Sequence, residues 1–200
     1  FYEITSPLTL PVPVLTSADA VNASSVRLVW VDRSLEMGFE VQSRVEGAEL
    51  WLNQSASLGA NTRVVTVSGL AASTRHEFRV RAIADGLASD WSAVRSALTP
   101  AAPPPAPVPS VVAVQSRRIM ISLALEGEVD EILIERQTGR DSAPWVALVR
   151  LPGSARGWTD TDVLPENLYN YRFQSRRGGL LSSSASLRNV STPAIGQPVA

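Results

Sequence analysis

Residues 26–30, Val-Arg-Leu-Val-Trp, have a counterpart 93 residues later in Ile-Met-Ile-Ser-Leu at 119–123. The same interval carries Asp85-Gly86-Leu87-Ala88-Ser89 onto Gly178-Gly179-Leu180-Leu181-Ser182. It carries Leu98-Thr99-Pro100 onto Ser191-Thr192-Pro193, and His76, Phe78 and Val80 onto Tyr169, Tyr171 and Phe173. An interval shared by apolar positions and turn residues alike means that one structural unit is built twice. Each copy must therefore bury its own core within roughly 90 residues, a size at which a single sandwich can do so.

Both copies have the pattern of strands. In Val26–Val31, Phe39–Val45, Glu77–Ile83, Glu131–Gln137 and Tyr169–Ser175, apolar residues alternate with polar ones. Successive side chains of a strand point to opposite faces, so this alternation buries one face and wets the other. Turn pairs separate the runs: Met37-Gly38, Ser68-Gly69, Asp85-Gly86, Pro152-Gly153 and Gly178-Gly179. No stretch keeps a helical period. Short strands at roughly 8–12-residue spacing predict an all-β chain of two tandem β-sandwiches.

Hydrophobic residues make up 44% of the chain, enough for packed cores, and the formal net charge is −1. That balance favours neither nucleic acid nor an anionic membrane as a partner. No apolar run reaches the roughly 18 residues of a membrane-spanning helix. Cysteine is absent, which removes disulfides, thiol nucleophiles and thiolate metal sites together. All 18 basic residues are arginine, a bias we read as that of a GC-rich genome, bacterial or that of a phage of such a host. Residues 100–109, Pro-Ala-Ala-Pro-Pro-Pro-Ala-Pro-Val-Pro, hold six prolines and read as an extended, semi-rigid spacer. The expected organisation is a last strand of a preceding unit or a linker at 1–13, a first unit at 14–100, and a Pro-rich linker at 101–106. A second unit follows at 107–193, with a C-terminal linker at 194–200. The first segment is read so because Phe1–Pro7 aligns at the same interval with the last strands of both units.

With the residues in place, both units resemble fibronectin type III domains. That family has a Trp on its second strand, an aromatic on its third, and Leu-x-Pro-x-Thr-x-Tyr-x-Phe-x-Val leading into its sixth. Unit 1 supplies Trp30, Phe39, Leu70, Thr74, His76, Phe78 and Val80; unit 2 supplies Val163, Pro165, Tyr169, Tyr171 and Phe173. The departures are Leu123 for Trp, Ala72 for Pro and His76 for Tyr. The resemblance implies two tandem immunoglobulin-like β-sandwiches, each of two facing antiparallel sheets, with Trp30 central in its core and Tyr169 at a corner. There the ring packs inward and the hydroxyl bonds the turn backbone. It gives His76, the only histidine, the same structural corner role.

That placement leaves no base free for a hydrolytic triad, so no catalytic residue is assigned and the chain is read as not an enzyme. The acidic run Glu126–Glu131 and the pair Asp160 and Asp162 read as solvated loop carboxylates, without the glycine-bent loop that calcium uses. No metal or cofactor is expected. Binding on a rigid sandwich concentrates in loops, so Arg176, Arg177, Trp51 and Trp145 are the candidate partner contacts. Gly139-Arg140-Asp141 has the wrong order for an integrin triplet. Asn22, Asn53 and Asn189 each begin an acceptor triplet, and Asp90-Trp91-Ser92 reads as the start of a last strand.

The expected function is a non-catalytic structural spacer and protein-interaction module. It would be part of a larger extracellular bacterial protein, on the cell surface or secreted, or of a phage tail protein in the virion. Its partners would be other domains of the same longer chain, with a protein or carbohydrate receptor as the ligand of an alternative adhesion role. A further alternative is a filament subunit, an oligomer formed when the N-terminal strand 1–6 completes a neighbour's sheet. Nucleic acid binding and membrane insertion are not expected.

Overall fold

The computed structural model describes residues 9–33, 36–54, 58–139 and 143–196. The expected strand at 1–6, Ser55 of one acceptor triplet, and Arg140 and Asp141 lie outside the described residues. The chain divides into two compact units, Phe1–Ala102 and Pro103–Ala200. The boundary falls inside the proline-rich stretch. Ser175 Oγ donates a hydrogen bond to the Pro105 carbonyl, so the second half of that stretch is tied to unit 2.

In unit 1, β1 (Val14–Asn22), β2 (Ser25–Val31) and β6 (Val64–Ser68) form one sheet in the order β1-β2-β6. The facing sheet contains β3 (Gly38–Val45), β4 (Leu52–Asn53), β5 (Leu58–Gly59), β7 (Arg75–Ala84), β8 (Leu87–Ala88) and β9 (Arg95–Leu98). Its spine is β4-β3-β7-β8, with β5 on β3 and β9 on β7. Unit 2 repeats the plan. Its first sheet is β10 (Val108–Gln115), β11 (Arg118–Ala124) and β14 (Gly157–Asp160). The second sheet places β13 (Val146–Pro152), β12 (Glu131–Thr138), β15 (Leu168–Arg177) and β16 (Leu180–Leu181) in that order, with β17 (Ala185–Ser191) also on β15. Every described pair is antiparallel.

The 93-residue interval holds in the register as well as in the sequence. Val26 faces Val67, and Ile119 faces Asp160; Gln42 faces Arg79, and Glu135 faces Arg172. The β7–β8 turn, Asp85-Gly86, has φ of 49° and 77°, and its counterpart Gly178-Gly179 has 55° and 87°. Two consecutive residues with positive φ make the turn whose twist matches a right-twisted hairpin, and Asp-Gly or Gly-Gly supplies it at low cost.

Alternation buries His76, Phe78, Val80 and Ala82 on the inner face of β7 and leaves Glu77, Arg79 and Arg81 on the outer one. Trp30 is central in the unit 1 core, edge-on to Phe39 at 5.3 Å between ring centroids. Unit 2 has Leu123 at the Trp30 position. Part of the lost ring area is restored by Trp158 on β14, which packs on that core edge-on to Tyr171 at 6.2 Å.

The corner before β7 and β15 is built alike in both units. Thr99 Oγ1 donates to the Ala71 carbonyl at 2.7 Å and accepts from Thr74 N at 3.1 Å. Thr192 Oγ1 donates to the Leu164 carbonyl at 2.6 Å and accepts from Asn167 N at 3.0 Å. The tip residues Ser73 and Glu166 take left-handed φ of 51° and 54°, a strain of order 1 kcal/mol that these bonds hold in place.

Within that frame the two corner side chains bond with opposite polarity. Tyr169 Oη accepts from Leu164 N at 2.7 Å. His76, 4% exposed, places Nε2 3.2 Å from the Ala71 carbonyl. A carbonyl oxygen only accepts, so Nε2 carries a hydrogen and donates. His76→Tyr is expected to fold normally, turn its hydroxyl to Ala71 N, and stabilise unit 1 by up to about 1 kcal/mol, the scale of one net hydrogen bond. Calorimetry of the full chain checks this; a lowered melting temperature would contradict the equivalence of the two corners.

Candidate functional site

The outer face of β3 and β7 is an ordered stack of arginines, carboxylates and tryptophans. Register sets Arg44 opposite Glu77, Gln42 opposite Arg79, and Glu40 opposite Arg81. Arg44 Nε lies 2.6 Å from Glu77 Oε2, and Arg81 Nη2 lies 2.6 Å from Glu40 Oε2. Between these ion pairs, Arg79 donates to Gln42 Oε1 through Nε at 2.9 Å and Nη2 at 2.6 Å. Gln42 is fixed in turn by donating to Asn53 Oδ1 at 2.8 Å.

Two indole rings interleave with the guanidinium groups. Trp51, just before β4, lies under Arg44 at 4.4 Å and Arg79 at 4.2 Å. Trp91, between β8 and β9, lies under Arg79 at 4.4 Å and Arg81 at 4.6 Å. Contacts of this kind contribute about 0.5–1 kcal/mol each at exposed sites, and they hold flat groups at fixed positions. At one end the face runs into a shallow groove of about 500 Å³ lined by Met37, Glu40, Arg81, Ile83 and Leu87.

Arg79 is the electrostatic outlier. Burial, and then the like charges of Arg44 and Arg81, push its pKa down from the ordinary arginine value. Its partner in the sheet is a neutral amide. In unit 2 the matching Arg172 forms an ion pair with Glu135 and lies over Trp145 at 4.8 Å. The hydrogen bond from Arg172 holds the Glu135 carboxyl below the usual carboxylate range, and the same bond raises Arg172. The flanking rows of unit 2 are Gln137 with Asn170 and Leu133 with Gln174, so a single stack remains there.

The candidate contacts separate accordingly. Trp51 belongs to the unit 1 stack and Trp145 to the unit 2 stack. Arg176 lies at the end of β15, not in a loop, 3.0 Å from Glu131, a carboxylate that also meets Arg150 at 3.4 Å. Among the described residues, Arg177 Nη1 reaches the Glu128 carbonyl at 3.5 Å. Replacing Arg176 and Arg177 by Ala is expected to change stability by about 0.5 kcal/mol, since exposed pairs contribute little. A loss of several kcal/mol in thermal unfolding would show that they hold the fold. Trp91 and Arg79 escaped the sequence reading. The last strand begins at Arg95, and Trp91 precedes it as a stacking platform.

Asp160 corrects an expectation outright. It is not a solvated loop carboxylate but a buried residue at the end of β14, 2.8 Å from Arg136 Nη1 and accepting from Tyr171 Oη at 2.8 Å. Its register opposite Ile119 turns it inward, where Arg136 supplies the opposite charge. Asp162 is exposed and meets the same arginine at 3.2 Å. Among the described residues, no group of three or more His, Cys, Asp or Glu could hold a metal ion.

No family model and no curated protein matches the chain. Among solved structures, it is similar to a two-domain fibronectin type III segment from chicken tenascin. That match is 14% identical, covers 88% of this chain and 99% of that one, and has a TM-score of 0.44. Strand order decides the matter within each unit: three strands face a sheet whose centre pairs β3 with β7 or β12 with β15, and a side chain closes the corner. Both units are β-sandwiches with a fibronectin type III-like strand order.

Proposed function

We propose that this chain is a non-catalytic structural and interaction module whose binding face is the outer sheet of unit 1. The observation that supports this reading is the stack itself. Five flat side chains, Arg44, Trp51, Arg79, Trp91 and Arg81, are already held in place by one another. A surface ordered in advance loses less side-chain freedom on binding, and Trp and Arg are the residues that most often carry interface energy. His76, the one candidate base, is engaged at the corner with the Ala71 carbonyl.

In the finer reading the module is a spacer in an extracellular bacterial surface or secreted protein, or in a phage tail. Support comes from composition: no cysteine, arginine without lysine, and a proline-rich segment between the units. The test is an exchange. Residues 14–193 are replaced in the native gene by an unrelated tandem sandwich of the same length. A pure spacer regains full function after exchange, which would overturn the binding role. Retention of the native protein in the cytoplasm, measured by fractionation, would overturn the extracellular reading.

A further inference from the structure

The two units carry one site in two states. The 93-residue interval places Gln42 where unit 2 has Glu135, and Arg79 where unit 2 has Arg172. In both, an indole ring covers the guanidinium group. Unit 2 supplies a carboxylate from its own third strand. Unit 1 has the same arginine, the same kind of ring and a second ring besides, but an amide in place of the carboxylate. The neighbours cannot compensate, because Glu77 and Glu40 are engaged with Arg44 and Arg81. Arg79 uses Nε and Nη2 on Gln42, and among the described residues its Nη1 has no protein acceptor.

We propose that Arg79, framed by Trp51 and Trp91, receives a carboxylate side chain from an acidic segment of a protein partner. The inference rests on the reading of this face as an interaction surface and names the chemistry that the surface selects. Guanidinium matches a planar carboxylate through paired N–H donors, and a flat platform on either side excludes water from that pair. A sulfate or phosphate polymer fits poorly. One uncompensated positive charge lies between two side-chain ion pairs, so a chain of sulfates or phosphates finds no row of free cations to follow. The groove beside Arg81 gives room to the side chain next to the carboxylate on the incoming segment.

The test is an NMR titration of the isotope-labelled full chain with a hexaglutamate peptide, following the indole N–H signals. Saturable shifts are expected at Trp51 and Trp91, and none with hexaglutamine. Gln42→Glu gives unit 1 the internal carboxylate of unit 2 and leaves Arg79 and both rings in place; it should weaken binding at least tenfold. Glu135→Gln should do the reverse and create a new saturable shift at Trp145. Unmoved indole signals, or hexaglutamate binding undiminished in Gln42→Glu, would overturn the proposal. A heparin-derived oligosaccharide that shifts Trp51 and Trp91 where hexaglutamate does not would overturn the acidic-peptide partner and leave the interaction face standing.

Discussion

Gly153→Ala is expected to unfold unit 2 while unit 1 stays folded in the same chain. A Cβ at this position would lie 1.8 Å from the Val129 carbonyl oxygen and 2.6 Å from its carbon, both backbone atoms with no rotamer to yield. The peptide cannot drift away, because Gly153 N donates to the Asp130 carbonyl at 2.9 Å. Relief requires parting β12 from β13 where Glu131 faces Pro152. The loss should reach about 4 kcal/mol or more, the range of the most severe single substitutions. At about 4–8 °C per kcal/mol for a domain of this size, the unit 2 transition should fall by at least ~15 °C in calorimetry. Unit 1 carries Ala60 at the matching position, so the demand comes from Val129 and not from the fold plan. Gly157→Ala is the milder control, with Ile121 O at 3.0 Å from the added carbon. A drop of only a few degrees in Gly153→Ala would refute the argument.

The second large effect comes from polar groups inside unit 2. Where unit 1 has Ser43, Val67 and Phe78, unit 2 has Arg136, Asp160 and Tyr171. Asp160, 2% exposed, holds the set together: it pairs with Arg136, accepts from Tyr171, and accepts from Asp162 N at 3.0 Å. Asp160→Ala strands a half-buried guanidinium and should cost about 3–5 kcal/mol. The triple replacement Arg136→Ser, Asp160→Val and Tyr171→Phe copies the unit 1 set and should cost less than the single one. A triple variant that is the less stable would show that the ion pair contributes net stability. The set also makes unit 2 sensitive to alkali. Burial, and then the Asp160 carboxylate, raise the Tyr171 pKa far above the ordinary phenol value. The folded state keeps its proton while the unfolded chain loses one from ~10 upward, so this stability is present below pH ~10 and declines above it. The slope is up to about 1.4 kcal/mol per pH unit. Tyr171→Phe should flatten that part of the profile of the unit 2 transition between pH 9 and 11. An unchanged profile would exclude Tyr171 as its source.

Much of this fold could be read from the chain because strands write their two faces into alternate residues. The interval that aligns His76 with Tyr169 also aligns the cross-strand partners, so one register implies the other. Trp91 was harder. Its neighbours resemble the opening of a strand, and its place between two arginines depends on a loop path that alternation does not encode. Arg79 and Arg81 did signal an outer face, but not which residue lay opposite. Asp160 was misread because Thr-Asp-Thr-Asp has loop composition; only its alignment with Val67 shows that it points inward. Pro152-Gly153 reads as a turn, and the need for glycine comes from Val129, a contact set by how β12 meets β13.

The threonine at the end of each unit has a consequence for a chain under tension. Force applied through Pro100 reaches Thr99 before any pairing of β9 with β7, and force through Pro193 reaches Thr192 first. Each hydroxyl grips a carbonyl and an amide of the corner segment. Peeling the final strand must first break that grip and hydrate the carbonyl and amide it covered. The sandwich is therefore latched at its own exit. Peeling from this end begins with the latch, and recoil can close it again, because both halves of the catch stay on the same unit.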